Sequence, residues 1–291
     1  MEGWSLPLAL SVFAAAAVVI VLAGTRLSAL ADELADRTGM GEAIMGAVFL
    51  GAVTSLPGIS ASAVAAWEGA ANLALSNAFG GVAAQTAFLA VADFTHRQAN
   101  LEHAAASAEN MIMAVSQIVL LSIILIAVAV PDWAVGHLHP LTPVLFVVYL
   151  ALLRLIYKTR RKAMWMPRRT PETREDEPEA EHLQSRVPLW RRWVALGMAS
   201  ALVIAAGWAV AHSGRFIALE TGLDESLVGA LGVAVVTSLP ELVMTLAAVN
   251  RGALTLAAGG ILGGNAFDTL FAGVADIAYR EGPVYARASA D

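Results

Sequence analysis

Cysteine is absent from all 291 residues, so neither a disulfide nor a thiolate metal centre can form in this chain. Charge is scarce as well. Asp, Glu, Lys and Arg together make up 14 % of the residues, against roughly a quarter in soluble domains. No basic residue precedes the first apolar run, and that run exceeds the ~7–15-residue core of a secretory signal, so it reads as a retained helix. No nucleophile elbow, zinc-type His-Glu pair or strand-joined phosphate loop is present, which argues against an enzyme. Neither a cofactor nor a nucleic-acid partner is expected.

Apolar residues fill the space that charge leaves. They account for 58 % of the chain, and the mean hydropathy is +0.67, which places the chain in a lipid bilayer. Charge-free runs at 3–25, 43–67, 69–92, 110–131, 133–153 and 193–214 each reach the ~20 residues that cross ~30 Å of hydrocarbon. Two more, 226–250 and 252–275, are as long but each holds one acid. The expectation is an all-α polytopic membrane protein with eight transmembrane helices.

Residues 158–189 interrupt the apolar pattern. A basic stretch (Lys158, Arg160, Arg161, Lys162, Arg168, Arg169) gives way to an acidic one (Glu172, Glu175, Asp176, Glu177, Glu179, Glu181), a pattern that reads as a solvated, disordered linker. It divides a first membrane repeat, 1–157 with five spans, from a second, 190–291 with three. Lys and Arg beside the spans put the linker in the cytoplasm and the N-terminus outside. The expected location is the cell membrane, multi-pass, as in a bacterial inner membrane.

The two parts repeat each other at an offset of 183 residues without a gap. Thr54-Ser55-Leu56-Pro57 returns as Thr237-Ser238-Leu239-Pro240, and Gly80-Gly81 as Gly263-Gly264. Asp93 and Arg97 return as Asp276 and Arg280. An odd number of spans before the linker makes the orientations opposite. Inverted-topology repeats with helix breaks point to an ion or substrate site between the halves near the bilayer midplane. Ala108 corresponds to Asp291, so the second half is expected to lack its last two spans relative to a ten-helix plan.

Proline after Thr-Ser-Leu removes a backbone donor and opens the helix, which is tolerable in a membrane only where freed carbonyls line a polar cavity. Thr237 and Glu241 lie four apart and face the same way, as do Asn265 and Asp268, three apart. The neighbouring glycines, Gly259, Gly260, Gly263 and Gly264, permit close helix approach and on their own read as packing. The acids are different. A central carboxylate costs ~2.5–3.5 kcal/mol on the insertion scale and marks function by default. Carboxylate, hydroxyl and amide oxygens together suit hard cations. Asp93–Arg97 and Asp276–Arg280 read as anchoring i,i+4 ion pairs, His137, His139 and His212 as interfacial, and Trp4, Trp133, Trp190 and Trp193 as an interfacial belt.

Gly-x-x-x-x-x-x-x-Thr-Ser-Leu-Pro-Glu from Gly229 to Glu241, with Gly-Gly-Asn-Ala-Phe-Asp from Gly263 to Asp268, resembles the cation/Ca²⁺ exchanger superfamily of the sodium/calcium exchanger type. The resemblance implies that Glu241 and Asp268 ligate Ca²⁺ and Na⁺. Thr237, Ser238, Asn265 and the Ala234 carbonyl would complete the set, with Thr54 and Ser55 from the first repeat. The chain departs from the family pattern at Gly58, where the family has its other Glu, and at Gln85, where Asn or Asp would stand. Gly264 and Gly81 replace the usual serine.

The expected activity is therefore secondary active antiport of inorganic cations, Ca²⁺ against Na⁺ or H⁺, by alternating access. Glu241 would be the principal ligand, Asp268 the second, and Thr54, Thr237 and Gln85 neutral ligands. The alternative is a transport-inactive relative serving as a membrane scaffold or partner subunit. Gly58 leaves room that water could fill, so Gly58→Glu is expected to tighten Ca²⁺ binding.

Overall fold

A computed structural model describes residues 4–38, 45–95, 100–131, 133–161, 180–250 and 252–288. Among the described residues the regular structure is helical, with one isolated bridge between Val135 and Leu138. The elements run in order α1 (Leu6–Thr38), α2 (Met45–Thr54), α3 (Leu56–Trp67), α4 (Ala71–Thr95), α5 (Leu101–Ala104), α6 (Ala108–Ala129) and α7 (Leu141–Arg161). They continue through α8 (Ala180–Leu183), α9 (Leu189–Thr221), α10 (Glu225–Leu227), a π-helical turn (Val228–Val233), α11 (Ala234–Thr237) and α12 (Leu239–Asn250). Last come α13 (Leu254–Asp268), α14 (Leu270–Ala278) and a 3₁₀ turn (Val284–Arg287).

The 183-residue offset governs where helices start and stop. α1 and α9 have matching ends, as do α3 and α12, and α4 covers the same register as α13 plus α14. Both Thr-Ser-Leu-Pro segments break their helix at the serine with nearly the same backbone: Ser55 has φ −78° and ψ 0°, Ser238 φ −96° and ψ 1°. The cause is local. Pro57 and Pro240 cannot donate to the carbonyls four residues upstream, so the ladder lapses there. In the second repeat the axes on either side of the break differ by 45°.

Among the described residues five continuous helices are long and apolar enough to cross a membrane, and six if the bent pair from Glu225 to Asn250 counts as one span. The other two segments expected to span, α2 with α3 and α13 with α14, are each divided into shorter helices. α1 continues well beyond the charge-free run, because Glu33 and Arg37 pair one helical turn apart at 3.2 Å. α7 begins at Leu141 and not at Trp133, since Pro131, Gly136 (φ +68°) and Pro140 hold the preceding residues in turns. Residues 162–179, most of the expected linker, lie outside the described residues.

α1 and α9 pack against each other, and each also lies on the broken helix of the opposite repeat. The close approaches are again reciprocal. Gly24 of α1 abuts Pro240, and Gly207 of α9 abuts Pro57 and Ser60. Large apolar side chains such as Leu22, Ile118, Leu125, Val147 and Met198 point outward, the arrangement lipid requires.

One expectation at the helix ends gives way. Asp276 does not pair with Arg280. It is fully buried, accepts from Val284 N (2.8 Å), His139 N (2.9 Å) and Thr142 Oγ1 (2.5 Å), and Arg280 lies over the Trp67 ring. A buried carboxylate takes close donors in preference to a pair with an exposed guanidinium. His139, between the end of α6 and the start of α7, is likewise buried and bonded through Nε2 to Val130 O. In the first repeat Asp93 accepts from Leu101 N at 2.8 Å, the counterpart of the Val284 bond; Arg97 lies outside the described residues.

Candidate cation site

Glu241 occupies the first turn of α12, immediately after the break, where the positive end of a helix dipole favours a carboxylate. It is buried, with 6 % exposure, and its Oε2 has no hydrogen-bond partner. Thr54, from the break in the other repeat, lines the same cavity as Glu241. Thr54 Oγ1 also meets Gly51 O at 3.1 Å.

Asp268 ends α13 and sits just before the N-terminus of α14. Both its oxygens accept from the first repeat: Oδ1 from Ser55 Oγ at 2.7 Å, Oδ2 from Gln85 Nε2 at 2.5 Å. Gln85 is the counterpart of Asp268 under the 183 offset, so the two equivalent positions of the repeats are bonded to each other. Gly81 lets this happen, because a Cβ there would stand 2.9 Å from Asp268 Oδ2. Glu241 and Asp268 are near enough to interact electrostatically.

Gln85 Oε1 and Asn265 Oδ1 are buried without a hydrogen-bond partner, as is Glu241 Oε2. Asn265 Nδ2 is held by Thr86 Oγ1 at 3.1 Å, which fixes the amide. Three orphaned acceptor oxygens in one buried region are costly in a hydrocarbon setting, and a cation is the partner that suits acceptors. Among the described residues no three His, Cys, Asp or Glu side chains converge, so the charge available here comes from two carboxylates.

The remaining expected ligands are distributed unevenly. Thr237 Oγ1 donates to Ala234 O (3.2 Å) and faces Asn77 Oδ1 (3.5 Å). The Ala234 carbonyl also accepts from Ser238 N at 3.1 Å, so the helix itself uses it. Ser238 is buried beside Gly81. Asn77 was not singled out by the sequence reading. Its Nδ2 donates to Gly58 O at 3.0 Å and to Ser62 Oγ at 2.8 Å, tying α4 to α3. A signal for it existed: Asn77-Ala78-Phe79 repeats Asn265-Ala266-Phe267, but at a different offset from the main repeat.

The space expected beside Gly58 is filled. A Cβ at Gly58 would stand 2.5 Å from Cε2 and 3.0 Å from Cζ of Phe271, so the ring, not water, lies against this position.

A cavity of about 220 Å³ is lined by Glu241 and Thr54 together with Ser28, Asp32, Thr245 and His182. His182 belongs to α8, in the segment between the repeats, and is bonded to Asp36 of α1 at 2.6 Å.

Known proteins resemble this chain in sequence and fold. The family model described as sodium/calcium exchanger protein matches residues 8–158 and 192–287. CaxA of Alkalimonas amylolytica, provisionally assigned as an antiporter, is 27 % identical over 257 residues, covering 87 % of this chain and 75 % of the relative. Among solved structures the H⁺/Ca²⁺ exchanger CAX superposes with a TM-score of 0.67 at 15 % identity, covering 93 % of this chain and 67 % of that one. The sodium-calcium exchanger NCX_Mj superposes with a TM-score of 0.56 at 18 % identity, covering 96 % and 85 %.

Proposed function

The chain belongs to the sodium/calcium exchanger family of membrane cation antiporters, and from that membership we propose that it exchanges Ca²⁺ for Na⁺ or H⁺ at a site formed by Glu241 and Asp268. The observation that supports this reading is that Glu241 and Asp268 are both buried, and that Glu241 Oε2, Gln85 Oε1 and Asn265 Oδ1 are buried acceptor oxygens that no donor satisfies. Two negative charges match one divalent ion. Carboxylate, amide and hydroxyl oxygens form the ligand class that Ca²⁺ takes at 2.3–2.6 Å. Glu241 is the principal ligand, reached directly from the cavity. Asp268 is the second, oriented by Ser55 and Gln85. Thr54 and Asn265 supply neutral oxygens.

The chain crosses the bilayer eight times in this reading, with α2–α3, α10–α12 and α13–α14 as broken spans around the site. The cavity at Glu241 opens beside α8 and hence, with the linker cytoplasmic, toward the cell interior. Its pseudo-symmetric counterpart would run past Gly58, where Phe271 and the Asn77 hydrogen bonds fill the space. One side open and the other closed is the condition alternating access requires.

The test is Ca²⁺ flux in proteoliposomes under separate Na⁺ and pH gradients, for the wild type and Glu241→Gln. Flux driven by one gradient and lost in the variant is the expected result, and the effective gradient names the counter-ion. Undiminished flux in Glu241→Gln removes the proposed site. A wild type that carries no cation under either gradient leaves the scaffold reading in its place.

A further inference from the structure

We propose that Glu68, His212 and Arg215 form a lock that closes the second mouth of the pathway, on the face opposite the Glu241 cavity. The inference rests on the alternating-access reading above and deepens it by naming what seals the closed side. The repeat indicates where that mouth lies. Thr25, Ala29 and Asp32 of α1 line the cavity at Glu241, and under the 183 offset their counterparts on α9 are Trp208, His212 and Arg215.

On α9 these positions carry larger groups, and two of them bind across to α3. His212 Nδ1 meets Glu68 Oε1 at 2.9 Å and Arg215 Nη1 meets Glu68 Oε2 at 3.6 Å, so one carboxylate engages both. Glu68 caps the C-terminal end of α3, and Gly69 turns the chain away with φ +84°. The imidazole is braced by rings. Trp208 stacks on it with centroids 5.3 Å apart, and Trp4 meets it edge-on at 5.0 Å. The three lock side chains are between 18 % and 24 % exposed, so water screens the cluster less than it screens a pair on the open surface.

The lock ends a seam that begins at the helix break. Gly207 of α9 abuts Pro57, and Ser60 Oγ donates to Ile204 O at 3.2 Å, so α3 and α9 already touch beside the site. From Pro57 to Glu68 α3 rises about 16 Å, which carries the seam to the end of the helix. Inside the lock, Asn77 and Ser62 are bonded to each other at the counterparts of Gly260 and Thr245, which line the open cavity. Polar groups suit a contact that opens in every cycle. On parting, the carboxylate and its partners exchange one another for water at modest cost, whereas an apolar seal would expose its own surface.

The chain has no cysteine, so single reporter cysteines can be read directly. Ala248 lines the Glu241 cavity, and its counterpart Ala65 is buried three residues before Glu68. Ala65→Cys and Ala248→Cys are labelled in the full chain in sealed proteoliposomes, with an impermeant thiol reagent applied to either face. Ala248→Cys is expected to react from one face and Ala65→Cys to be protected from the other. Glu68→Gln or His212→Ala should speed labelling of Ala65→Cys by about tenfold, the effect of losing a hydrogen bond to a charged group. The charge swap Glu68→Arg/Arg215→Glu should bring the rate back toward that of the wild type. Ala211→Cys, buried at the counterpart of Ser28, replaces Ala65→Cys if that reporter fails to fold, and His212→Gln likewise replaces His212→Ala. Ala65→Cys as reactive as Ala248→Cys without any lock variant overturns the proposal. So does unchanged labelling in both Glu68→Gln and His212→Ala, or a charge swap that labels as fast as Glu68→Gln alone. Labelling needs no bound ion, which separates the two readings. Undiminished Ca²⁺ flux in Glu241→Gln brings down the site while accelerated labelling leaves the lock standing. Flux lost in Glu241→Gln, with labelling unchanged by the lock variants, brings down only the lock.

Discussion

The two repeats share a backbone and divide the chemistry. Each opens at the same Thr-Ser-Leu-Pro segment with nearly the same serine dihedrals, and each begins its long helix in the same register. Yet the second repeat carries both carboxylates, and the first supplies Ser55 and Gln85, which donate to Asp268, and Thr54, which lines the same cavity as Glu241. The helix breaks are thus alike in the two halves while the side chains differ, the second half holding the carboxylates and the first donating to Asp268. The asymmetry extends outward. Space is open beside Glu241 and filled by an aromatic ring beside its counterpart Gly58.

The sharpest way to break this comparison is at the acids. Glu241→Gln is expected to lower Ca²⁺ flux by more than the roughly 10–100-fold that loss of an outer-shell partner costs a metal site. Next come the donors. Ser55→Ala and Gln85→Ala are each expected to weaken Ca²⁺ binding by about 10–100-fold, read by titration calorimetry, with Ser238→Ala costing clearly less. Equal losses at the two serines would mean that the repeats share the task evenly.

A smaller effect tests packing. Gly80→Ala puts a methyl 2.6 Å from the Ala230 backbone, whereas at its counterpart Gly263 the nearest atom is Met113 Sδ at 3.7 Å. Gly80→Ala is therefore expected to destabilise by about 1–3 kcal/mol, and Gly263→Ala to be neutral or stabilising within about 1 kcal/mol. Thermal unfolding of the two variants side by side decides it. The smallest effect lies at the buried aspartate. Thr142→Val removes one of the hydrogen bonds to Asp276 and should cost about 1 kcal/mol without altering Ca²⁺ binding.

Much of this molecule could be read from its residues because its information is local or repeated. Proline at 57 and 240 dictates the breaks by chemistry that needs no partner, and the single offset carries helix ends from one half to the other. The cost of a carboxylate in hydrocarbon singled out Glu241 and Asp268 without any coordinates. What escaped depends on contacts far apart in the chain. No proline or glycine marks the break after Asp268, so Asp268-Thr269-Leu270 reads as continuous helix. Phe271 looks like any apolar residue until it is found against Gly58, 213 positions earlier. The same holds for Asp276, whose nearby arginine suggested a pair while two of its three donors come from His139 and Thr142, more than a hundred residues away.

The reciprocal seating of Gly24 on Pro240 and of Gly207 on Pro57 has a mechanical consequence. Each long helix bears on the hinge of the opposite repeat through a glycine, while α1 and α9 bear on each other. They form one rocking beam with two pivots. A displacement that relaxes one pivot must load the other, because the beam cannot lift from both hinges without losing its own contact. In the alternating-access reading proposed above, this seating ties opening toward one face of the membrane to sealing toward the other.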